Sequence, residues 1–328
     1  MGCRHFLAAF QRPTTNDRSI AGRPGALGWR TWWFCLLVVV GVVAIGDLGT
    51  MLVRLQSLPL STPAPDLPST GGSLLIHGGG RVPDAVRQQF CDLAGGPQAR
   101  IVVIPARYVP PGDETYDRYL VPWRRFGPAS VDILSAFGRA AAEEPEFSQP
   151  LTLATGVWLG GGDQLNLAET YSGTPVERHL KALVERGGVV GGSSAGAAAM
   201  TKVMISRGRR AAEEAGGFDL LPNAVIDQHF LKRNRFQRLS GILANHPELL
   251  GFGIDERTAL VVRLPAWKIS VIGESYVVAC VPGRDDEPAR TEILKPGDRT
   301  SLEALRGWET PVTSAAPSFD ELLTSAGE

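Results

Sequence analysis

Cysteine and histidine are scarce in this chain of 328 residues, and its charges cancel. The four cysteines, Cys3, Cys35, Cys91 and Cys280, lie far apart and form no Cys-x-x-Cys pair. That spacing argues against a disulfide scaffold and against a cysteine-based metal site, and no metal is expected. Cys91 and Cys280 lie among apolar residues and read as core positions. With 33 basic and 34 acidic side chains the net charge is −1, which implies no bulk attraction to nucleic acid. The composition, 44% hydrophobic and 20% charged, is that of a folded globular chain and argues against disorder.

What is present divides by composition. Residues 1–31 are polar and carry Arg4, Arg12, Arg18, Arg23 and Arg30, with no apolar period. Residues 32–53 are apolar apart from Asp47, a length of roughly 20 residues that suits a spanning helix. The basic residues on its N-terminal side favour a cytoplasmic tail, a membrane anchor and an extracytoplasmic domain. A cleaved signal peptide ending near Ala44-Ile45-Gly46 and translation from Met51 as a soluble cytoplasmic protein are the rival readings. Residues 54–71, rich in Pro, Ser and Thr, read as a semi-extended linker. A folded domain is expected over 72–308, followed by a polar tail over 309–328.

Within that domain, strands are predicted at 73–77, 100–105, 131–134, 156–159 and 188–191, alternating with helical patterns. Residues 110–125 read as a loop running into a helix. Thr174-Pro175-Val176-Glu177 is a complete helix start, with Val176, Leu180, Leu183 and Val184 as the buried stripe behind it. This alternation implies an α/β fold, doubly wound, with a mainly parallel sheet covered on both faces. Strands at 258–263, 268–272 and 275–281 are expected to extend the same sheet antiparallel. The triple glycine at 78–80 is followed by no nucleotide-binding pattern and is assigned to close packing; no cofactor is expected.

Gly192-Ser193-Ser194-Ala195-Gly196 fits the G-x-S-x-G elbow, in which a tight strand-to-helix turn lifts a serine hydroxyl clear of the backbone. A serine needs a base to take its proton as it attacks, and histidine is the usual one. Of five histidines, His5 lies in the tail, and His179 and His246 have structural explanations. His77 is the less favoured base, while His229 follows a strand among polar residues and is the best placed. A carboxylate must orient the imidazole, and Asp255 and Glu256 at another strand end are the candidates. Because ligand sites in such sheets gather at the carboxyl ends of strands, Gly161, Gly162, Gln164 and Ser194 are expected to share one edge.

Gly-Gly-Asp-Gln at 161–164, Gly-Ser-Ser-Ala-Gly-Ala at 192–197, Asp-Gln-His-Phe at 227–230 with three arginines after it, and Gly-Ile-Asp-Glu at 253–256 resemble cyanophycinase and dipeptidase E, the serine exopeptidases of family S51. The resemblance runs from about Gly72 to about Gly297. It implies a flavodoxin-like, class I glutamine amidotransferase-like sheet, and a Ser194–His229–Glu256 triad with Asp255 in reserve. It also implies an oxyanion hole from Ala195 and Gly161 or Gly162, and substrate contacts from Gln164, Asp227, Gln228, Arg233, Arg235 and Arg238. At helical pitch Arg235 and Arg238 share a side and Arg233 does not. The implied activity is hydrolysis of aspartyl or β-aspartyl peptide bonds in a small peptide or a cyanophycin-like substrate. A homodimer is left open. The alternatives are a non-catalytic acidic-peptide-binding protein on the same fold and an acyl hydrolase on related architecture.

Overall fold

The computed structural model describes residues 71–283 and 289–307. Five parallel strands form the centre of the larger sheet: β1 (Ser73–His77), β2 (Arg100–Ala106), β3 (Ser130–Ile133), β4 (Gly156–Gly162) and β5 (Val189–Ser193). Their order is β1-β5-β4-β2-β3, and β10 (Thr258–Arg263), β11 (Lys268–Gly273) and β14 (Arg299–Ser301) continue it antiparallel beyond β1. A strand buried on both faces reads as a continuous apolar run. On β1, Leu74 and Ile76 enter one core layer and Leu75 the other.

The helices cover both faces as their periodicity predicts. Helix α1 (Asp84–Leu93) buries Val86, Phe90 and Cys91, and Phe90 packs with Trp123 and Trp158 at centroid distances of 5.1 and 5.2 Å. Short helices follow: α2 (Tyr116–Arg124), α3 (Arg139–Glu143), α4 (Pro150–Leu153) and α5 (Gln164–Tyr171). Helix α6 (Pro175–Glu185) buries Val176, Leu180, Leu183 and Val184, and the Thr174 hydroxyl caps it by accepting the Val176 N–H at 3.2 Å. Glu177 accepts instead from Gly173 N–H, one residue before the cap, closing the turn that leads into the helix. The thiols of Cys91 and Cys280 are buried and pushed up to about 11 and about 12, burial being the main cause, so both stay protonated and unreactive at neutral pH.

One strand departs from expectation. Residues 277–281 (β12, Val277–Val281) do not extend the larger sheet but lie in a second one, ordered β13-β12-β9-β8. Its members are β8 (Ala224–Gln228), β9 (Leu250–Ile254) and β13 (Arg290–Leu294), with β8 and β9 parallel. The redirection occurs after β11 at Gly273, whose φ of 122° suits glycine and where a β-carbon would lie 2.6 Å from Thr258 Cα. Val277 then pairs with Ile254. Residues 203–216 include a two-stranded hairpin, β6 (Val203–Arg207) and β7 (Glu213–Gly216). The remaining helices are α7 (Ala195–Ala198), α8 (Phe236–Asn245) and α9 (Leu302–Arg306).

The expectation of a membrane anchor, and of an extracytoplasmic domain tethered by it, is corrected. Among the described residues no helix is long and apolar enough to cross a membrane. Residues 1–31, 32–53 and 309–328, and the linker up to residue 70, lie outside the described residues.

Candidate active site

The carboxyl ends of β1, β5, β8 and β9 meet where the two sheets approach, and one loop joins them. Three consecutive carbonyls at the end of β1 each accept a backbone N–H from a different segment. His77 O accepts from Ser194 N at 3.0 Å, Gly78 O from His229 N at 2.7 Å, and Gly79 O from Arg257 N at 2.9 Å. Each of these donors is a predicted triad residue or the immediate neighbour of one. The loop also comes close to their side chains. A β-carbon on Gly79 would lie 2.5 Å from His229 Nε2, and one on Gly80 would lie 2.9 Å from a Glu256 carboxylate oxygen. The triple glycine is therefore close packing, as its sequence suggests, but what packs on it is His229 and Glu256. No sequence pattern linked 78–80 to those two residues, because the contact is between chain segments about 150 residues apart.

Ser194 follows β5 with φ 51° and ψ −106°, a strained conformation for a residue with a side chain. The flanking glycines permit the bend. A β-carbon on Gly192 would come 2.6 Å from the carbonyl carbon of Gly196, and one on Gly196 would come 2.6 Å from that of Leu159. Ser194 Oγ lies 2.8 Å from His229 Nε2, and His229 Nδ1 lies 2.6 Å from Glu256 Oε1. A carboxylate only accepts, so Nδ1 carries the proton and Nε2 is free to accept from the serine hydroxyl. Burial pulls the His229 pKa below its ordinary 6.5; the hydrogen bond to Glu256 raises it, and the Arg233 charge lowers it further. The imidazole is thus neutral at pH 7.

Asp255 is turned elsewhere. Its two oxygens accept the Lys232 N–H at 2.9 Å and the Ser275 hydroxyl at 2.8 Å, which secures the turn after β9. His77 is fully buried, and its Nδ1 meets Ser193 Oγ at 2.9 Å and the Gly79 N–H at 3.2 Å, not Ser194. Burial first, then the Arg87 and His229 charges, push its pKa down to about 3. Ala195 opens α7 behind the serine, where a helix leaves backbone N–H groups unpaired. A β-carbon on Gly161 would lie 3.8 Å from Ser194 Cβ, so the end of β4 runs alongside the elbow.

The residues expected to contact substrate divide into two groups. Gln164 Nε2 donates to Ile205 O at 2.9 Å and Ser206 O at 2.6 Å. Asp227 is fully buried and accepts from Arg238 through both oxygens and from Arg235 at 3.3 Å. Arg235 also donates to Gln228 O at 2.6 Å, and Arg238 to Gly208 O at 2.6 Å. Gln228 is buried, and its Oε1 has no partner among the described residues. Arg235 and Arg238 do share a side, and that side faces Asp227. Arg233 makes no bond to this group and lines a cavity of about 780 Å³ with Arg209, Arg210, Asn234 and Gln237. Arg209 and Arg210, on the turn between β6 and β7, share that cavity with Arg233.

The profile of Peptidase family S51 matches residues 74–267. A cyanophycinase of Geminocystis herdmanii is 36% identical over 200 residues, covering 58% of this chain and 73% of that protein. A cyanophycinase of a Nostoc species is 34% identical over 279 residues, covering 76% of this chain and 91% of the relative. The crystal structure of a peptidase from an acI-B1 actinobacterium superposes with a TM-score of 0.53 at 24% identity, covering 72% of this chain and 99% of that one, and shares the fold. With the match spanning more than half its length, the chain belongs to peptidase family S51 and is a serine-type peptidase.

Proposed function

We propose that this peptidase hydrolyses aspartyl or β-aspartyl peptide bonds as an exopeptidase, with Ser194 as nucleophile, His229 as general base and acid, and Glu256 as the orienting carboxylate. The observation that carries the reading is the unbroken chain Ser194 Oγ–His229–Glu256, at 2.8 and 2.6 Å. In the first step Ser194 Oγ attacks the peptide carbonyl carbon and its proton passes to His229 Nε2. Glu256 stabilises the imidazolium that forms. The oxyanion of the tetrahedral intermediate would be met by the N–H of Ala195 and one from Gly161 or Gly162, each donor worth about 3 kcal/mol. His229 then gives the proton to the departing amine nitrogen, the C–N bond breaks, and the acyl group remains on Ser194. Water, deprotonated by His229, attacks the ester. The C–O bond to Ser194 breaks, the acid leaves, and the hydroxyl recovers its proton.

The similarity to cyanophycinases and the guanidinium of Arg233 near His229 support an aspartyl substrate, because guanidinium binds carboxylate through paired hydrogen bonds. Gln164, Asp227, Gln228, Arg235 and Arg238 are proposed to act on substrate mainly by holding the loops around it. The test is turnover of α- and β-aspartyl dipeptides, together with labelling by a serine-directed fluorophosphonate. Both should vanish in Ser194→Ala, and an active Ser194→Ala protein refutes the mechanism.

A further inference from the structure

Arg209 and Arg210 stand on the turn between β6 and β7, and Arg233 on the turn that follows His229. All three are exposed, and their guanidinium groups have no partner among the described residues. Together they line one cavity with Asn234 and Gln237, and no acid is among these lining residues. Three nearby acids are already engaged, and Glu213, at the start of β7, does not line the cavity. Asp227 is held by Arg235 and Arg238, Asp163 caps α5 and lies 3.7 Å from Arg207, and Glu214 meets His246 at 2.8 Å. In a chain of net charge −1, three guanidiniums around one concavity that have no partner among the described residues are a local surplus. Like charges repel, so nothing in the fold itself favours gathering them there.

The hairpin that carries two of them is also held in place. Buried Gln164 bonds the carbonyls of Ile205 and Ser206, and buried Arg238 bonds that of Gly208, so three carbonyls at the end of β6 are tied to the core. Gly208, at φ 93°, makes a turn too close to Ala211 for any side chain. A tethered turn presents Arg209 and Arg210 with less entropy to lose on binding than a free loop would.

We propose that this cavity is a second binding subsite, built to receive the free carboxylates of an acidic peptide whose scissile bond lies at Ser194. The volume, about 780 Å³, is in the range that encloses a small ligand. Three forked guanidiniums match two or more carboxylates. A peptide whose carboxylates are each capped by arginine would bring its own positive charges into the same space and be disfavoured. The subsite thus selects unmodified acidic peptides within the proposed aspartyl class, and this rests on the peptidase reading given above. Occupancy is also linked to the catalytic histidine, since Arg233 is one of the charges that hold its pKa down.

The experiment separates the two claims by measuring binding without turnover. The full-length chain carrying Ser194→Ala is titrated calorimetrically with Asp-Asp-Asp and with Asn-Asn-Asn, at low and high salt. The same is done with Arg209→Gln/Arg210→Gln added, a change that keeps length and polarity but removes charge. The expected result is that Asp-Asp-Asp binds at least about tenfold more tightly than Asn-Asn-Asn, that salt weakens it, and that the double substitution removes most of the difference. Arg209→Ala/Arg210→Ala provides a second variant, and thermal melting shows whether each is folded. Equal binding of the two tripeptides, an undiminished preference in both folded double variants, or tighter binding of a short oligonucleotide than of Asp-Asp-Asp would each overturn the proposal. Failure to cleave any aspartyl peptide would instead overturn the proposed aspartyl specificity and leave the calorimetric result standing.

Discussion

Gly79 occupies the space beside the His229 ring: a β-carbon at Gly79 would lie 2.5 Å from Nε2, the atom that faces Ser194. At φ 111° the position is also one that L side chains rarely adopt. Gly79→Ala therefore adds backbone strain of about 1–3 kcal/mol and pushes the imidazole off its line between Ser194 and Glu256. A displacement of about 1 Å at a catalytic group costs on the order of 10²-fold. We expect kcat against an aspartyl peptide to fall by at least that factor while the protein still melts cooperatively. Unchanged kcat would show that the loop does not position the histidine.

Glu256 and Asp255 are neighbours with separable tasks. Glu256 meets the imidazole, whereas Asp255 holds the Lys232 N–H and the Ser275 hydroxyl. Glu256→Gln keeps the shape but can stabilise neither the imidazolium nor the proper tautomer, so kcat should drop by roughly 10³–10⁴ with little change in Tm. Asp255→Ala leaves two donors without their acceptor, a cost of about 1–3 kcal/mol, so thermal melting should register it first. A larger catalytic loss from Asp255→Ala than from Glu256→Gln would reverse the two roles.

Much of this site was legible before any coordinates. Glycine flanks and a strand-to-helix change mark Ser194, and polar residues at the ends of apolar runs mark His229 and Glu256, because strand ends are local features of the sequence. What could not be read is which partner a charge meets. Asp227, Arg235 and Arg238 are polar residues beside a predicted site, and a chain gives no sign that they satisfy one another instead of a ligand. The same holds for Gln164, whose partners at Ile205 and Ser206 lie about 40 residues away. The strand expected at 275–281 forms over 277–281 but in the second sheet, since β-propensity carries no information about the neighbour a strand will choose.

The pH dependence should respond to Arg233 and Glu256, two of the charges near His229, with opposite signs. The histidine must be neutral to accept the serine proton, and its pKa lies below 6.5, so kcat/KM should rise along an acid limb below pH 6.5 and level off above it. Arg233 holds the pKa down, and Arg233→Ala should move that limb to higher pH. Glu256 raises the pKa, and Glu256→Gln should move the residual activity's limb to lower pH. Profiles of kcat/KM from pH 4 to 8 in the three proteins provide the test. Shifts in the same direction would mean that His229 is not the group being titrated.

His77 makes a prediction about stability that is independent of catalysis. It is wholly buried, with Nδ1 taken by Ser193 and Gly79 and with no partner for Nε2 among the described residues. Its pKa is about 3 in the folded protein against an ordinary 6.5. Between those values the unfolded chain binds a proton that the folded one refuses, so the unfolded state gains on acidification. The contribution is fully present above pH 6.5 and is lost progressively as the pH falls toward 3. His77→Asn keeps an acceptor for the Gly79 N–H and removes the titration. Its Tm should be lower than that of the parent at pH 7 but should decline less steeply from pH 6.5 to 4. His229, which shifts in the same direction, is common to both proteins and cancels in the comparison. Parallel Tm curves over that range would show that His77 is protonated in the fold, and its bond to Ser193 would then need to be rewritten with the imidazolium as donor.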